Sequence, residues 1–297
     1  MGDTAISWVA RPNEHPTGTC KHLRPAGCLD VTCEHCWVMG FTVNPWIGCE
    51  RVSAACKHCY AADVAANRMG LDVWGKDAPR AIRVDKAWKE LRRISRRAVK
   101  KDQRLAVFSG SMCDVFEDRP DLIGPRKMYL SAVERARNTD VMLLTKRSHH
   151  VLGMVPWPLD QWPKHAWIGV TVEDVREDMK RLPDLRRFKE LGATTFVSIE
   201  PMIETGPRIL EFLPFIDLVI IGGESGHDSR PFDVDGARVI VEQAVAAGVP
   251  VWFKQMGSVW AHQHSGALVK GASHGQDPYR WPAWAQLHQL PKVSHAT

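Results

Sequence analysis

The feature that most constrains the fold is an alternation of short apolar runs with longer helix-forming stretches. Each run ends abruptly in polar residues, and successive endings lie roughly 24–36 residues apart, which accommodates one strand, one helix and two loops. The runs cover residues 105–108, 141–144, 167–170, 195–199, 218–221 and 249–253. Residues 41–46 are interpreted as an earlier, first strand.

Continuous apolar runs predict strands that are covered on both faces, as in a parallel sheet. Polar residues follow every run, whereas a doubly wound open sheet concentrates them at one switch point. We therefore predict an α/β fold, a partial TIM-type (β/α) barrel of about six to seven parallel strands. The predicted barrel spans residues 41–257, after an N-terminal segment (1–40) that carries a metal-knuckle insertion and before a loop-rich cap or tail (258–297).

Three cysteines follow the first predicted strand on one short loop. Six residues separate Cys49 from Cys56, and Cys59 comes three positions later. Three thiolates can hold an iron–sulfur cluster and leave one iron open for chemistry, whereas four ligands close a metal site. A structural zinc site completed by His58 is the alternative, but this loop lies at the predicted catalytic face of the barrel.

A second cysteine group lies in the N-terminal segment and comprises Cys20, Cys28, Cys33 and Cys36. Four thiolates match a closed structural zinc site, which would stabilise a segment too short to fold on hydrophobic burial alone. An auxiliary iron–sulfur cluster and unligated cytosolic thiols are the other two interpretations.

Composition restricts where the protein works. No segment reaches the ~18 consecutive apolar residues of a membrane span, and the N-terminus lacks the basic and apolar regions of a signal peptide. We therefore expect a cytosolic protein, in which cysteines serve as metal or redox ligands rather than as disulfides. The net charge is +5, and residues 83–104 predict an amphipathic helix with a basic outer face. This face is either a solvated surface or a track for nucleic-acid phosphates.

Seven short motifs in chain order carry a family resemblance. They are the cysteine loop (Asn44-Pro45-Trp46-Ile47-Gly48-Cys49 with Cys56-Lys57-His58-Cys59-Tyr60-Ala61) and residues 109–114, 144–147, 167–173, 198–201, 222–226 and 253–255. The loop resembles that of radical S-adenosylmethionine (SAM) enzymes, although their commoner first gap is three residues. More closely, the chain resembles a phage-associated family of unknown function in that superfamily, marked by an Asn-Pro-x-x-Gly-Cys…Cys-x-x-Cys-Tyr-Ala signature.

The resemblance implies a [4Fe–4S] cluster on Cys49, Cys56 and Cys59, with SAM chelating the fourth iron. Reduction of the cluster would cleave SAM to methionine and a deoxyadenosyl radical. By the same resemblance, His58 would lie against the adenine and Tyr60 would pack beside the cluster.

The resemblance and the strand ends also indicate binding residues. Ser109, Gly110 and Ser111 would hold the amino end of SAM, and Thr171 and Glu173 would bind its ribose hydroxyls. The cations Lys146 and Arg147 suit a substrate carboxylate or phosphate. Candidate catalytic residues are Glu200, Glu224 and Lys254. For any of these the alternative is an ion pair at the barrel mouth, such as Glu200 with Lys254.

The sequence therefore predicts a radical SAM enzyme that acts on a nucleic-acid base or nucleotide, in phage DNA modification or repair. Its expected partners are SAM, a nucleic acid or nucleotide and an electron donor such as flavodoxin or ferredoxin, in the host cytoplasm if the chain is phage-encoded. The alternative is a non-catalytic, zinc-dependent nucleic-acid-binding or host-takeover protein on a βα-barrel scaffold. A SAM methyltransferase ranks lower, because no Gly-rich turn follows the first strand.

Overall fold

Seven parallel strands form the central sheet of the protein, seen in a computed structural model that describes residues 10–13, 28, 37–38, 40–204, 209–226, 228–264 and 274–291. The strands are β1 (Phe41–Val43), β2 (Leu105–Ser109), β3 (Thr139–Thr145), β4 (Ala166–Thr171), β5 (Thr195–Ile199), β6 (Leu218–Gly222) and β7 (Val251–Gln255). Each strand pairs in parallel with its neighbours in chain order, from β1 at one edge to β7 at the other. The sheet curls into an open half-barrel, which confirms the predicted fold class.

The helices connect successive strands and cover the outer face of the sheet. They are α1 (Tyr60–Asp63), α2 (Val84–Lys100), α3 (Ile123–Arg135), α4 (Val151–Met154), α5 (Val175–Glu190), α6 (Ile209–Phe212), α7 (Val234–Ala246) and α8 (Ser258–His264). Two antiparallel pairs of short strands lie outside the sheet, Arg11–Pro12 with Trp37–Val38 and Trp46–Ile47 with Ala81–Ile82. Among the described residues, no helix is both long and apolar enough to cross a bilayer.

Alternate residues of the strands pack into two separate apolar clusters, because neighbouring side chains of a strand point to opposite faces. The outer cluster joins the strands to the helices, for example Val107 of β2 with Leu91 of α2. The inner cluster fills the concave face and includes Trp167, Phe196 and Trp252. This two-sided burial explains why the strand sequences are continuously apolar.

The observed first strand, β1, is shorter than the predicted strand of residues 41–46. β1 ends at Val43, and Trp46–Ile47 pairs in the antiparallel direction with Ala81–Ile82. Pro45 between them has no backbone N–H to donate to a sheet ladder. The chain therefore leaves the sheet at Asn44 and turns towards the cysteine loop.

Described segments near both ends of the chain pack against the half-barrel. Ala10 belongs to the inner cluster, and the Arg11 guanidinium lies 5.2 Å from the centroid of the Trp167 ring and 3.6 Å from an Asp140 carboxylate oxygen. At the other edge, the Phe253 amide of β7 donates to the Leu287 carbonyl. The C-terminal segment thus covers part of the exposed edge of the sheet. Cys20, Cys33 and Cys36 lie outside the described residues, and Cys28 is buried, so the metal of this group stays a prediction.

The predicted basic helix is α2, and its position bears on nucleic-acid binding. Its buried apolar residues, such as Leu91 and Ile94, face the core, while Arg92 and Arg96 are exposed on the outer surface. Residues of α2 close to Lys100 lie near the start of β2, because the chain enters that strand at Leu105. The basic half of the helix is therefore at the end of the barrel opposite the strand carboxyl ends.

The start of α5 holds a buried carboxyl group. Asp174 caps the helix by accepting a hydrogen bond from the Glu177 amide, and one oxygen of Asp178 accepts one from the Glu173 amide at 3.1 Å. The other Asp178 oxygen is buried, and no hydrogen-bond partner is seen for it among the described residues. Burial raises the pKa of Asp178 to about 7, and the nearby charge of Asp174 adds to this effect. Asp178 fixes the backbone of Glu173, at the carboxyl end of β4.

A close approach between β4 and β5 gives the first prediction. Gly169 and Phe196 are directly paired, and a Cβ atom at position 169 would overlap the Phe196 ring. We expect Gly169→Ala to lower the free energy of unfolding by about 1–3 kcal/mol, as overpacking does. Denaturant unfolding measures this change. Gly124→Ala is the control, since open space surrounds Gly124 in α3, and it should stabilise by about 0.5–1 kcal/mol. If Gly169→Ala lowers the free energy of unfolding equally in a Phe196→Leu background, overlap with the Phe196 ring is not the cause.

Asp178 gives the second prediction, which concerns pH. Its pKa is about 7 in the folded protein against an ordinary value of 3.8, so between these values the folded state binds more protons than the unfolded state. The wild-type free energy of unfolding should consequently fall as pH rises through this window, by at most ~1.4 kcal/mol per pH unit. Asp178→Asn removes this loss, so the stability of the variant relative to wild type should rise from pH 4 to pH 7.

Denaturant unfolding of both proteins at several pH values tests this. Asp121→Asn is the control, because the hydrogen bond from Arg119 lowers the pKa of the exposed Asp121 and its small effect has the opposite sign. If the difference in free energy of unfolding between Asp178→Asn and wild type does not change with pH, the raised pKa of Asp178 is contradicted.

Candidate functional site

The three loop cysteines line one cavity at the carboxyl ends of β2, β3 and β4. Cys49, Cys56 and Cys59 are all on its wall, and its volume is about 160 Å³. Residues at or next to strand ends form another part of the lining: Phe108, Gly110, Ser111, Leu144, Thr145, Lys146, Arg147 and Thr171. The fold thus brings the cysteine loop, which follows β1, onto the polar ends of three neighbouring strands.

A glycine makes the sharp turn into the cysteine loop. Gly48 has a φ of +118°, and a Cβ atom there would overlap the Val73 carbonyl oxygen. The Gly48 amide donates to the Met112 carbonyl, and the Gly75 amide donates to the Cys49 carbonyl, both at 3.0 Å. The backbone on each side of Cys49 is therefore held by neighbouring loops, and only glycine fits at position 48.

Asn44 joins the cysteine loop to the loop after β2. Its side-chain oxygen accepts a hydrogen bond from the Met112 amide at 2.8 Å, and its Nδ2 donates to Ser111 Oγ at 3.0 Å. The Gly110 amide donates to the Val43 carbonyl at 3.1 Å. These contacts place Gly110 and Ser111 on the cavity wall beside the cysteines.

The environments of the three sulfurs differ. Burial raises the pKa of the Cys49 thiol to about 12, against the opposing effect of the Arg147 guanidinium. Burial also raises the pKa of Cys59, while the amides of Ala61 and Ala62 at the start of α1 favour its thiolate. Cys56 Sγ lies 3.6 Å from Ser53 Oγ. A buried thiolate needs a cation or metal to offset its desolvation.

A buried charge cluster, comprising Arg80, Asp114, Glu117 and Arg147, supports the cavity wall. Arg147 Nη1 lies 3.6 Å from Cys49 Sγ and donates to Asp114 Oδ2 at 3.0 Å, while its Nη2 donates to the Glu50 carbonyl at 3.0 Å. Arg80 binds Glu117 through two hydrogen bonds of 3.0 and 2.6 Å.

The same charge cluster also holds the backbone of three loops. Arg80 donates to the Val73 and Gly75 carbonyls, which lie beside the cysteine loop. Asp114 accepts from the Thr145 hydroxyl at 2.8 Å and from the Lys146 amide at 3.1 Å. Because removing one partner of a buried pair leaves an uncompensated charge, the four side chains act as a unit.

Lys146 and Glu173 form an ion pair next to the cavity. Lys146 Nζ lies 3.0 Å from Glu173 Oε2, and Arg181 contacts the other carboxylate oxygen at 3.0 Å. Burial opposes ionisation of Glu173, yet Lys146, the Ser53 hydroxyl and Arg181 together lower its pKa. Glu173 is therefore a fixed carboxylate that holds Lys146 at the cavity wall.

Two more ion pairs lie beyond the cavity wall. Lys254 pairs with Glu200, as the alternative interpretation of these residues expected. Glu224 binds Arg230 through two side-chain hydrogen bonds of 2.8 and 2.7 Å. Arg230 Nη1 also reaches the Ala54 carbonyl at 3.4 Å, so the region after β6 contacts the cysteine loop that follows β1.

The structure distributes the predicted site residues as follows. The cavity wall carries Cys49, Cys56, Cys59, Gly110, Ser111, Lys146, Arg147 and Thr171. Outside this lining lie His58, Tyr60, Ser109, Glu173, Glu200, Glu224 and Lys254. Ser109 Oγ is buried 2.8 Å from the Tyr129 hydroxyl of α3, and Tyr60 is 67% exposed. Their roles towards SAM or substrate stay predictions.

Sequence reasoning did not single out Asp114. It lines the cavity and makes hydrogen bonds with Thr145, Lys146 and Arg147. Its position in the polar run after β2 was the available signal, because strand-end polar residues on neighbouring strands meet at one edge of the sheet. Cys113, next to it, is buried, and burial raises its pKa well above the ordinary value.

The donor set of the cysteine loop fits an iron–sulfur cluster. Cys49, Cys56 and Cys59 are free thiols around one cavity. In the described part of the chain, no three Cys, His, Asp or Glu side chains converge in the way that ligands of one metal ion do. The ligands of a cluster bind separate iron atoms, so they surround a larger group instead of meeting at one point.

Comparison with solved structures finds three distant likenesses. A spore photoproduct lyase mutant with bound AdoMet and dinucleoside spore photoproduct has a TM-score of 0.43 and 13% identity, over 68% of this chain and 60% of that one. A second mutant of the lyase, with dinucleoside spore photoproduct, has a TM-score of 0.42 and 14% identity, over 67% of this chain and 58% of that one. SuiB of Streptococcus suis bound to S-adenosylmethionine has a TM-score of 0.41 and 12% identity, over 79% of this chain and 55% of that one. The chain thus spans about three fifths of the length of the first structure.

Sequence comparison gives a family. No curated protein matches the chain. Residues 32–280, which include all seven strands of the half-barrel and the cysteine loop, match DUF5131, described as a protein of unknown function. The chain belongs to the DUF5131 family.

Proposed function

We propose that this protein is a radical SAM enzyme. The observation that carries the proposal is the meeting of three free thiols, Cys49, Cys56 and Cys59, on one cavity at the carboxyl ends of a parallel half-barrel. In barrels of this kind the reactive groups lie at the strand carboxyl ends. Three thiols would hold a [4Fe–4S] cluster and leave one iron free to bind SAM.

When bound, the cluster supplies an electron that cleaves SAM and generates a deoxyadenosyl radical. The chain contributes position, charge and exclusion of water. Lys146, fixed by Glu173, is a cation on the cavity wall that would neutralise the SAM carboxylate. Phe108 and Leu144 give that wall an apolar part, which limits the access of water to the reacting atoms.

The proposed substrate is a nucleic-acid base or nucleotide. Support comes from the net charge of +5. The exposed arginines of α2 would contact only nucleic acid that extends past the cavity, because the basic half of this helix lies at the other end of the barrel. A base in a duplex must leave its stack to reach a cavity of this size. Glu200, Glu224 and Lys254 come at the carboxyl ends of β5, β6 and β7, and they are the candidate groups for substrate contact or proton transfer. Phage DNA modification or repair is the setting that we propose, with flavodoxin or ferredoxin as electron donor.

A non-catalytic, zinc-dependent nucleic-acid-binding protein is the second candidate. It would need the closed zinc site that the sequence predicts for the N-terminal segment, of which the structure describes Cys28. In this case the loop cysteines would have no cluster. Metal analysis separates the two candidates.

The first test of the proposed function is anaerobic reconstitution with iron and sulfide. We expect about four iron and four sulfide per chain at the loop cysteines, with more if the N-terminal group also holds a cluster. Cys49→Ser, Cys56→Ser and Cys59→Ser should each abolish this loading and, with dithionite and SAM, the formation of deoxyadenosine. Cys113→Ala, which removes a neighbouring thiol from the same wall, is the control for iron retention. Zinc without iron or sulfide in the wild type would favour the binding protein instead.

A second test addresses the nucleic-acid substrate. If the proposal holds, the logarithm of the association constant for DNA or RNA should fall linearly with the logarithm of the salt concentration. The slope should be roughly −0.7 to −0.9 per phosphate contacted. Combined Arg92→Gln and Arg96→Gln should reduce that slope if α2 touches phosphates. Arg238→Gln on α7 removes an exposed arginine from another helix and is the matched control. Binding that is absent, or insensitive to salt, would contradict a nucleic-acid substrate.

A further inference from the structure

The Arg147 side chain is fixed against a cysteine sulfur. It follows β3 directly, is only 6% exposed, and places Nη1 at 3.6 Å from Cys49 Sγ. The same Nη1 atom donates to Asp114, and Nη2 donates to the Glu50 carbonyl. The guanidinium plane is therefore held on both sides, with one N–H edge directed at the sulfur.

This arrangement leaves Arg147 unsuited to hold a substrate phosphate. Its hydrogen bonds are to atoms of the protein, and moving the guanidinium outwards would break the pair with Asp114 inside the protein. The closest donors to the other two sulfurs are of another kind: Ser53 Oγ lies 3.6 Å from Cys56 Sγ, and backbone amides of α1 approach Cys59. Cys49 thus has a charged hydrogen-bond donor at its sulfur. Cys56 contacts a hydroxyl, and Cys59 is approached by backbone amides and is also influenced by the charge of Lys146.

The formal charge of the buried cluster also matters. Arg80 and Arg147 carry two positive charges, and Asp114 and Glu117 carry two negative charges, so the group is neutral overall. Loss of the Arg147 charge would leave a net negative charge close to Cys49. The reduction potential of an iron–sulfur cluster depends on hydrogen bonds to its sulfurs and on nearby charge.

We propose that Arg147 is a positioning residue that raises the reduction potential of the iron–sulfur cluster through its contact with the Cys49 sulfur. This inference rests on the proposed function, because it requires the cluster to be bound by Cys49. Uptake of one electron makes the cluster more negative, and a cationic N–H donor at a ligand sulfur stabilises that reduced form more than the oxidised form.

Redox titration followed by electron paramagnetic resonance tests the proposal on the reconstituted protein without SAM. Arg147→Gln should lower the midpoint potential, with about a tenfold lower ratio of reduced to oxidised cluster at a fixed potential, or about 59 mV for one electron. Arg147→Lys keeps the charge and should recover part of the shift. Arg147→Gln combined with Asp114→Asn makes the buried charge cluster neutral again, so this double variant should also recover part of the shift in midpoint potential. Arg238→Gln, at an exposed ion pair of α7, should leave the potential unchanged.

Iron and sulfide content and the melting temperature of each apoprotein accompany every titration. A fully loaded Arg147→Gln protein with the wild-type potential would overturn the inference. If that variant loses the cluster, the double variant decides the question, because it also lacks the cationic donor at Cys49 Sγ. A loaded double variant with the wild-type potential overturns the inference as well. A wild-type protein that takes up no cluster refutes the proposed function itself, which is a different result.

Discussion

The buried ionic cluster of Arg80, Asp114, Glu117 and Arg147 is the interaction on which the site depends. It connects the cysteine loop, the loop after β2 and the end of β3, which are far apart in sequence. Burying four charges is unfavourable unless each is paired and hydrogen-bonded, and here all four are. We infer that this pairing holds the three thiols around one cavity.

The half-barrel provides the frame for that pairing. Parallel strands in chain order place every strand carboxyl end at the same edge, so loops after β1, β2, β3 and β4 meet there. Two apolar clusters, one on each face of the sheet, fix the strands in register. The ion pair of Glu224 with Arg230, which reaches Ala54, then links the last part of the sheet to the first loop.

Sequence reasoning identified the strands and the cysteine loop because both depend on local patterns. Continuous apolar runs predicted β2 to β7 close to their observed bounds. The predicted β1 was too long, because Pro45 ends this strand early. The partners of individual polar side chains were less predictable. Arg147 and Ser109 each follow or end a strand, as a binding residue would, yet one faces Asp114 and the other Tyr129. Which way such a side chain turns depends on tertiary packing, which no local pattern encodes.

The central claim is that the cysteine loop holds a cluster with one iron that SAM can reach. The most direct measurement is the electron paramagnetic resonance spectrum of the reduced, reconstituted protein with and without SAM. SAM that binds the open iron should change the g-values of the cluster signal, because the ligands of that iron change. A cluster signal that is identical in both spectra, at SAM concentrations that saturate binding, would contradict the account.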